Sequence, residues 1–494
     1  MRRISRLLVT VGFALAASMG AGLAKDNITI GMVLEPPGLD PTSAPAAAIG
    51  EVTHYNIFEG LTKINEDFSV TPLLADKWSF SPDLKTLTFT LKPNVKFQDG
   101  EPFTSKDVKF SFERYAGKDS TNKDKAFFAG IESIETPDPL TVVLHFKTPS
   151  FEALYHLGFD TAVIIDEKSA ANEATAPVGT GPYKLANWTK GSSITLDKWD
   201  GFRDAANIPI AKATFRFISD PSAAVAGMLA GDVDAFPRFA NVQALDQFKS
   251  DPRFQVIVGG TEGKTILAMN NKKPPLDNLK VRQAIAYALD RKAIIDGGMS
   301  GLGTPIGSHL TPNDPGYVDL TGMYPHDPEK AKALLKEAGV TTPIDLTLVL
   351  PPAPYARSGG PIIQAELADV GINAKIQEVE WAQWLKGVYT DHDYDLTIIS
   401  HVEPMDIGIY ANPNYYYQYD SPAFREIDAK ISTAPDLDAY KAALGEAQKK
   451  LAEDSVNAFL FQLPNVTVAS SKVKGVWKNA PIFVNDLSTM SVAD

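Results

Sequence analysis

Asp327-Pro328-Glu329-Lys330-Ala331-Lys332-Ala333-Leu334-Leu335-Lys336-Glu337-Ala338-Gly339 is the stretch whose pattern decides the fold. Proline needs no N–H partner at the first helical position, so Asp327-Pro328 marks a helix start. Ala331, Leu334, Leu335 and Ala338 share one face, and Gly339 ends the helix. A strand is predicted over 346–350, then a helix through Ile363 and Leu367 to Gly371, then a strand over 374–379. Gly339 and Gly371 are spaced by roughly 30 residues, the length of one βαβ unit. This half of the chain is therefore expected to hold a parallel sheet under covering helices, with 395–399 adding a strand. Upstream, Asp277 or Asn278 can cap a helix whose Val281, Ala284, Ile285, Ala288 and Leu289 share a face, and Gly297 can end it.

An earlier region has a different rhythm. Leu87, Phe89 and Leu91 alternate with threonines, and Leu140, Val142, Leu144 and Phe146 do likewise, the signature of half-buried strands. Between them, 104–114 has helical spacing behind a cap at Thr104 or Ser105. This is a mixed α+β block. The 494 residues suffice for two or three domains at roughly 100–200 residues each.

The first residues carry Arg2, Arg3 and Arg6, then an apolar run, then Gly22-Leu23-Ala24. This is the pattern of a secretory signal peptide over 1–24, and the run falls short of the roughly 20 residues that span a bilayer. The chain has no cysteine. Disulfides, thiolate chemistry and a lipid-modified cysteine anchor are excluded, and the expected location is a periplasm. The formal charge of −13 becomes more negative once the leader's arginines are removed, which disfavours nucleic-acid and anionic-membrane partners.

Catalytic motifs fail on inspection. There is no Gly-x-Ser-x-Gly elbow and no His-Glu-x-x-His helix. Gly263-Lys264-Thr265 imitates the end of a phosphate loop, but Val258 stands where that loop needs glycine. Gly301-x-Gly303 lacks its third glycine, since Ile306 occupies the place. His392, His401, Glu403 and Asp406 are dense enough to suggest a metal site, with ordinary hydrogen bonding as the alternative. No metal and no cofactor is expected.

Ala75-Asp76-Lys77-Trp78, Val95-Lys96-Phe97-Gln98-Asp99-Gly100 and Phe103-Thr104-Ser105-Lys106-Asp107-Val108 follow one another in an order that resembles bacterial extracellular solute-binding protein family 5. Leu39-Asp40-Pro41, Val178-Gly179-Thr180-Gly181-Pro182-Tyr183, Ala230-Gly231-Asp232-Val233-Asp234 and the segment 278–291 resemble it too. The resemblance implies an α/β, periplasmic binding protein-like fold: two hinged α/β lobes with an additional α+β domain inserted in the first. Lobe I is expected at 25–64, 179–269 and 470–494, the insert at 65–178, and lobe II at 270–469. It also implies a monomeric, non-enzymatic component of an ABC importer. Such a component captures a peptide or peptide-like solute by closure and passes it to inner-membrane permease subunits. Nickel chelates, opines and sugar-amine conjugates are the neighbouring ligand classes, and an exported hydrolase is the rival of another kind.

The resemblance places an acidic side chain after a lobe II strand, against the ligand's amine; here that is Glu403 or Asp406, beside His401. The arginine that holds a dipeptide's carboxylate is missing from Leu350-Pro351-Pro352, and Arg357 is the substitute. Trp381 and Trp384, at helix-like spacing, are candidate aromatic walls with core packing as the favoured alternative, and Tyr415 and Tyr417 are candidates because full burial of three adjacent tyrosines, Tyr415 to Tyr417, is not expected. Glu35, His54 and Tyr55 flank the Leu39-Asp40-Pro41 turn and are the lobe I candidates.

Overall fold

The structure, a computed structural model, describes residues 26–44 and 46–493. The expected signal peptide, 1–24, lies outside the described residues. No helix among the described residues is long and apolar enough to cross a membrane.

One eleven-stranded sheet runs through the molecule. Its order is Ile372–Glu378, Ile344–Leu350, Leu396–His401, Phe254–Met269, Asn457–Ser470, Ala235–Phe236, Asn27–Met32, Lys212–Phe217, Ser193–Lys198, Tyr183–Thr189, with Thr304–Pro305 pairing on Asn457–Ser470. Ile344–Leu350 is parallel to both Ile372–Glu378 and Leu396–His401, as a βαβ pattern requires. Leu396–His401 then pairs antiparallel with Phe254–Met269. The sheet of this half is therefore mixed, a correction to the all-parallel expectation. The added strand comes from far upstream in the chain, and local spacing carries no information about it.

Helix ends follow the sequence signals. Asp327 caps Pro328–Glu337, its carboxylate accepting the Lys330 N–H, and Gly339 and Gly371 have φ of +71° and +88°. Asn278 caps a helix that stops early, at Ala288. Asp290, which accepts the N–H groups of Lys292 and Ala293, starts a second helix, Arg291–Met299. Gly297 lies inside that second helix and ends neither, because the strong cap at Asp290 outcompetes continuation of the first. Leu348, Ile363, Leu367, Ile285 and Leu335 join in one apolar core behind the sheet.

The α+β block is a separate four-stranded antiparallel sheet: Ala75–Phe80, Thr86–Leu91, Thr141–Phe146, Ile131–Asp138. Its core takes Leu87, Phe89, Leu91, Val108, Phe112 and Leu144. Ser105–Ala116 covers it, begun by a reciprocal capping box between Thr104 and Asp107. A third core joins Ile28, Ile30, Phe58, Tyr183, Phe215 and Met490, from widely separated stretches. The block also reaches the far half. Tyr440 donates to Glu152 at 2.5 Å, and its ring lies 5.3 Å from Phe151.

Among the described residues, only Phe254–Met269 and Asn457–Ser470 belong to both halves of the large sheet. Phe254 to Gly260 pair with Ser470 to Pro464 on one side, and Lys264 to Met269 pair with His401 to Leu396 on the other. Residues 264–269 thus go by their pairing with the half that holds Leu396–His401. Leu348→Ala, at a fully buried position of that half, should lower stability by about 2–5 kcal/mol in urea unfolding.

Candidate ligand cleft

The two long strands lose register between Gly260 and Lys264. Such a bulge bends the strand and re-aims side chains. Here it opens the floor of a cavity of about 550 Å³ between the halves. Thr261, Glu262, Leu463 and Pro464 form the floor; 238–243 and 480–483 supply one wall; Met299, Tyr355, Ser358 and Val402 supply the other. A Cβ on Gly259 would stand 2.0 Å from the Lys478 carbonyl oxygen, so glycine is required where the 480–483 wall begins. The lining is largely apolar, and its charged side chains are Arg238 and Glu262. A mainly apolar hollow with a few placed polar groups is the usual form of a small-molecule site.

The loop after Leu396–His401 reaches this cavity through Val402. Glu403 is exposed and accepts the Val402 N–H at 3.1 Å. Asp406 is engaged inside the protein. Its Oδ1 lies 2.8 Å from the Lys264 ammonium and 3.0 Å from His309 Nε2, and its Oδ2 is 3.6 Å from His401 Nδ1. Lys264, whose side chain is 1% exposed, also donates to the Glu403 carbonyl at 2.6 Å. Burial alone would raise the Asp406 carboxyl, but Lys264 and His309 override it and hold it well below the usual carboxylate range. The Lys264 ammonium thus stands where the sequence-based expectation put a ligand amine. That expectation is corrected for Asp406, because a second cation there would meet the first at close range.

His401 is buried, and its Nε2 lies 2.8 Å from the Tyr416 hydroxyl and 2.6 Å from that of Tyr417. Burial drives its pKa down to about 3 against the pull of Asp406. Ligating atoms of His309, His401 and Asp406 come within 4.8 Å of one another. Lys264 already supplies the positive charge there, so the donor set fits an internal ion pair better than a metal. His392 is elsewhere, its Nδ1 2.7 Å from Gln418 Nε2.

Other expectations change as well. Tyr416 and Tyr417 are buried and Tyr415 half-buried, packed with Trp384 and Tyr410 in one apolar core. Tyr416 and Tyr417 can be buried because both hydroxyls meet His401 Nε2. Trp384 donates to Thr397 Oγ1 at 2.9 Å, while Trp381 is exposed. None of these rings lines the cavity. Arg357 sits between the cavity residues Tyr355 and Ser358 but turns to Glu380, at 3.3 Å, and Glu378, at 3.6 Å. His54 and Tyr55 are buried at the joint with the α+β block, where the Tyr55 hydroxyl takes the Ile64 N–H at 2.9 Å. Glu35 accepts from Trp188 Nε1 and the Gly191 N–H, both at 2.9 Å. It lines a smaller hollow, of about 300 Å³, that shares Arg238 and Phe483 with the main one.

Sequence reasoning missed Arg238, Glu262, Tyr355 and Phe483. One signal was available: Glu262-Gly263-Lys264 places two charges and a glycine inside an otherwise apolar strand, where a bulge belongs. Arg238 has φ of +54° and gives Nη2 to Glu51 and to Asn485 Oδ1, both at 3.0 Å.

Two outcomes are expected. Lys264→Met strands the buried Asp406 and should cost about 3–5 kcal/mol in urea unfolding, much of it regained in the Lys264→Met/Asp406→Asn double variant. His401 is held neutral with a folded pKa below its unfolded value of about 6.5, so its contribution is whole above that pH and lost as pH falls towards about 3. His401→Gln should flatten the stability-against-pH curve in that window.

Comparison with known proteins agrees with this architecture. The model of bacterial extracellular solute-binding proteins, family 5 (middle), matches residues 69–421. The chain is 28% identical over 385 residues to the glutathione-binding protein GsiB of Salmonella paratyphi A, covering 76% of this chain and 74% of that protein. It is 32% identical over 348 residues to the dipeptide-binding protein of Escherichia coli, covering 64% and 65%. Among solved structures, AgaA of A. tumefaciens R10, in complex with agropinic acid, superposes with a TM-score of 0.78 at 28% identity, covering 95% of this chain and 99% of that one. With its α/β periplasmic-binding-protein fold and a family match over most of its length, this chain belongs to the bacterial extracellular solute-binding proteins, family 5.

Proposed function

We propose that this protein is the substrate-binding component of an ABC importer, capturing a peptide-like solute in the 550 Å³ cavity and presenting it to inner-membrane permease subunits. The carrying observation is that both halves wall the cavity while, among the described residues, two long strands alone in the large sheet run through both. A solute touching both walls binds the closed arrangement better than the open one, and that difference in affinity drives closure. Turnover of the solute is no part of this role. The relatives that bind dipeptide and glutathione support a peptide-like ligand.

In this reading the protein is exported by its leader, works unanchored in the periplasm, and acts as a monomer. Lobe I comprises 25–64, 179–269 and 470–494, the insert 65–178 and lobe II 270–469, with the two long strands shared. A second reading, an opine-type conjugate, is favoured by the likeness to AgaA with agropinic acid.

Small-angle scattering and thermal unfolding with panels of short peptides and opines test both. The binding class should reduce the radius of gyration, and at about 100 times its dissociation constant it should stabilise the fold by roughly 2.7 kcal/mol. Stabilisation by opines alone favours the second reading. No compaction with any bound member overturns the closure role.

A further inference from the structure

The cavity holds one acidic side chain that the protein does not use. Glu262 lies in the register break between the long strands, is 3% exposed, and lines the cavity floor. Its Oε2 is buried without a hydrogen-bond partner. Lys264, two residues on, is committed to Asp406 and the Glu403 carbonyl. Arg238, the other charged residue of the lining, is tied to Glu51 and Asn485. Asp314, which accepts the Thr311 N–H at 2.6 Å, adds negative charge beside Glu262, and so does the more distant Asp406. The Tyr155 hydroxyl from the α+β block feels the same charges and is likewise buried without a partner. A carboxylate shut away from water needs a cation or a donor, and the protein supplies neither to this oxygen.

We propose that Glu262 is the ammonium-binding residue of the cleft, taking a protonated amine of the captured solute in place of Asp406, which Lys264 already neutralises. The inference rests on the reading that the cavity holds a peptide-like solute, and it names the group of that solute which the floor recognises. An ammonium suits the place because it brings charge and three donors into a neighbourhood of acceptors, while the apolar walls take the rest of the molecule.

In the empty cleft, burial and the nearby Asp314 hold the Glu262 carboxyl well above its usual range, against the pull of Lys264. The carboxyl therefore holds a proton more tightly than an ordinary glutamic acid does. An arriving ammonium favours the ionised form, so any proton the carboxyl carries leaves to solvent on binding. Proton uptake by buffer should accompany binding, and affinity should weaken as pH falls.

Calorimetry with apolar di- and tripeptides, each with a free and an acetylated amino terminus, tests this. The unaltered protein should bind the free-amine forms, release protons in doing so, and bind the acetylated forms at least about thirtyfold more weakly. Glu262→Gln keeps the shape of the neutral carboxyl, should melt like the parent, and should lose that preference. Equal affinity of the unaltered protein for both forms overturns the proposal without any variant. So does parental affinity of Glu262→Gln for the free amines. If the unaltered protein takes neither form, the peptide-like reading fails and the ammonium site with it, an outcome distinct from the other two.

Discussion

Everything in this fold hangs on the antiparallel ladder between Phe254–Met269 and Asn457–Ser470. Each strand pairs at one end with lobe I's strands or their neighbour and at the other with lobe II's. A hydrogen-bonded ladder resists sliding, because moving one residue would turn every side chain to the other face. It tolerates bending where pairs are missing. The missing pairs lie between Gly260 and Lys264, directly beneath the cavity. The break in the ladder and the floor of the cavity are therefore the same few residues.

That coincidence gives the charges there their importance. Lys264 and Asp406 bring the Phe254–Met269 strand and the loop after Leu396–His401 together through a buried ion pair, with His309 and His401 beside it. Taking two ions out of water is costly, and the pair is tolerable because further hydrogen bonds satisfy both partners. The Glu403 carbonyl and His309 provide them. Glu262 Oε2 has no such partner, so the two acidic groups stand in different surroundings. Asp406 is tied to Lys264, and Glu262 lines the cavity.

The aromatic cluster shows why side-chain roles were hard to assign in advance. Tyr416, Tyr417 and Trp384 look like ligand walls by residue type, yet they are core. Tyrosine enters a core only when its hydroxyl is met, and His401 meets two at once. The partner lies fifteen or so residues away and across a strand, so no spacing rule announces it. Tyr355 and Phe483 are the reverse case, ordinary residues in proline-rich stretches that face the cavity because two remote segments close on it.

The amino-acid sequence by itself determined the elements and the family: the proline-first, glycine-last helix Pro328–Glu337, the βαβ rhythm after it, the capped helix Ser105–Ala116 and the alternating strands around it. Those are set by local rules of backbone hydrogen bonding and periodicity, which act over a few residues. Tertiary structure alone decided that the helix after Asn278 splits at Asp290, that an antiparallel strand joins a parallel set, and that Asp406 is already neutralised while Glu262 is left facing the cleft. Whether a carboxylate is free depends on which cation folding brings beside it, and that is a property of distance in space rather than along the chain.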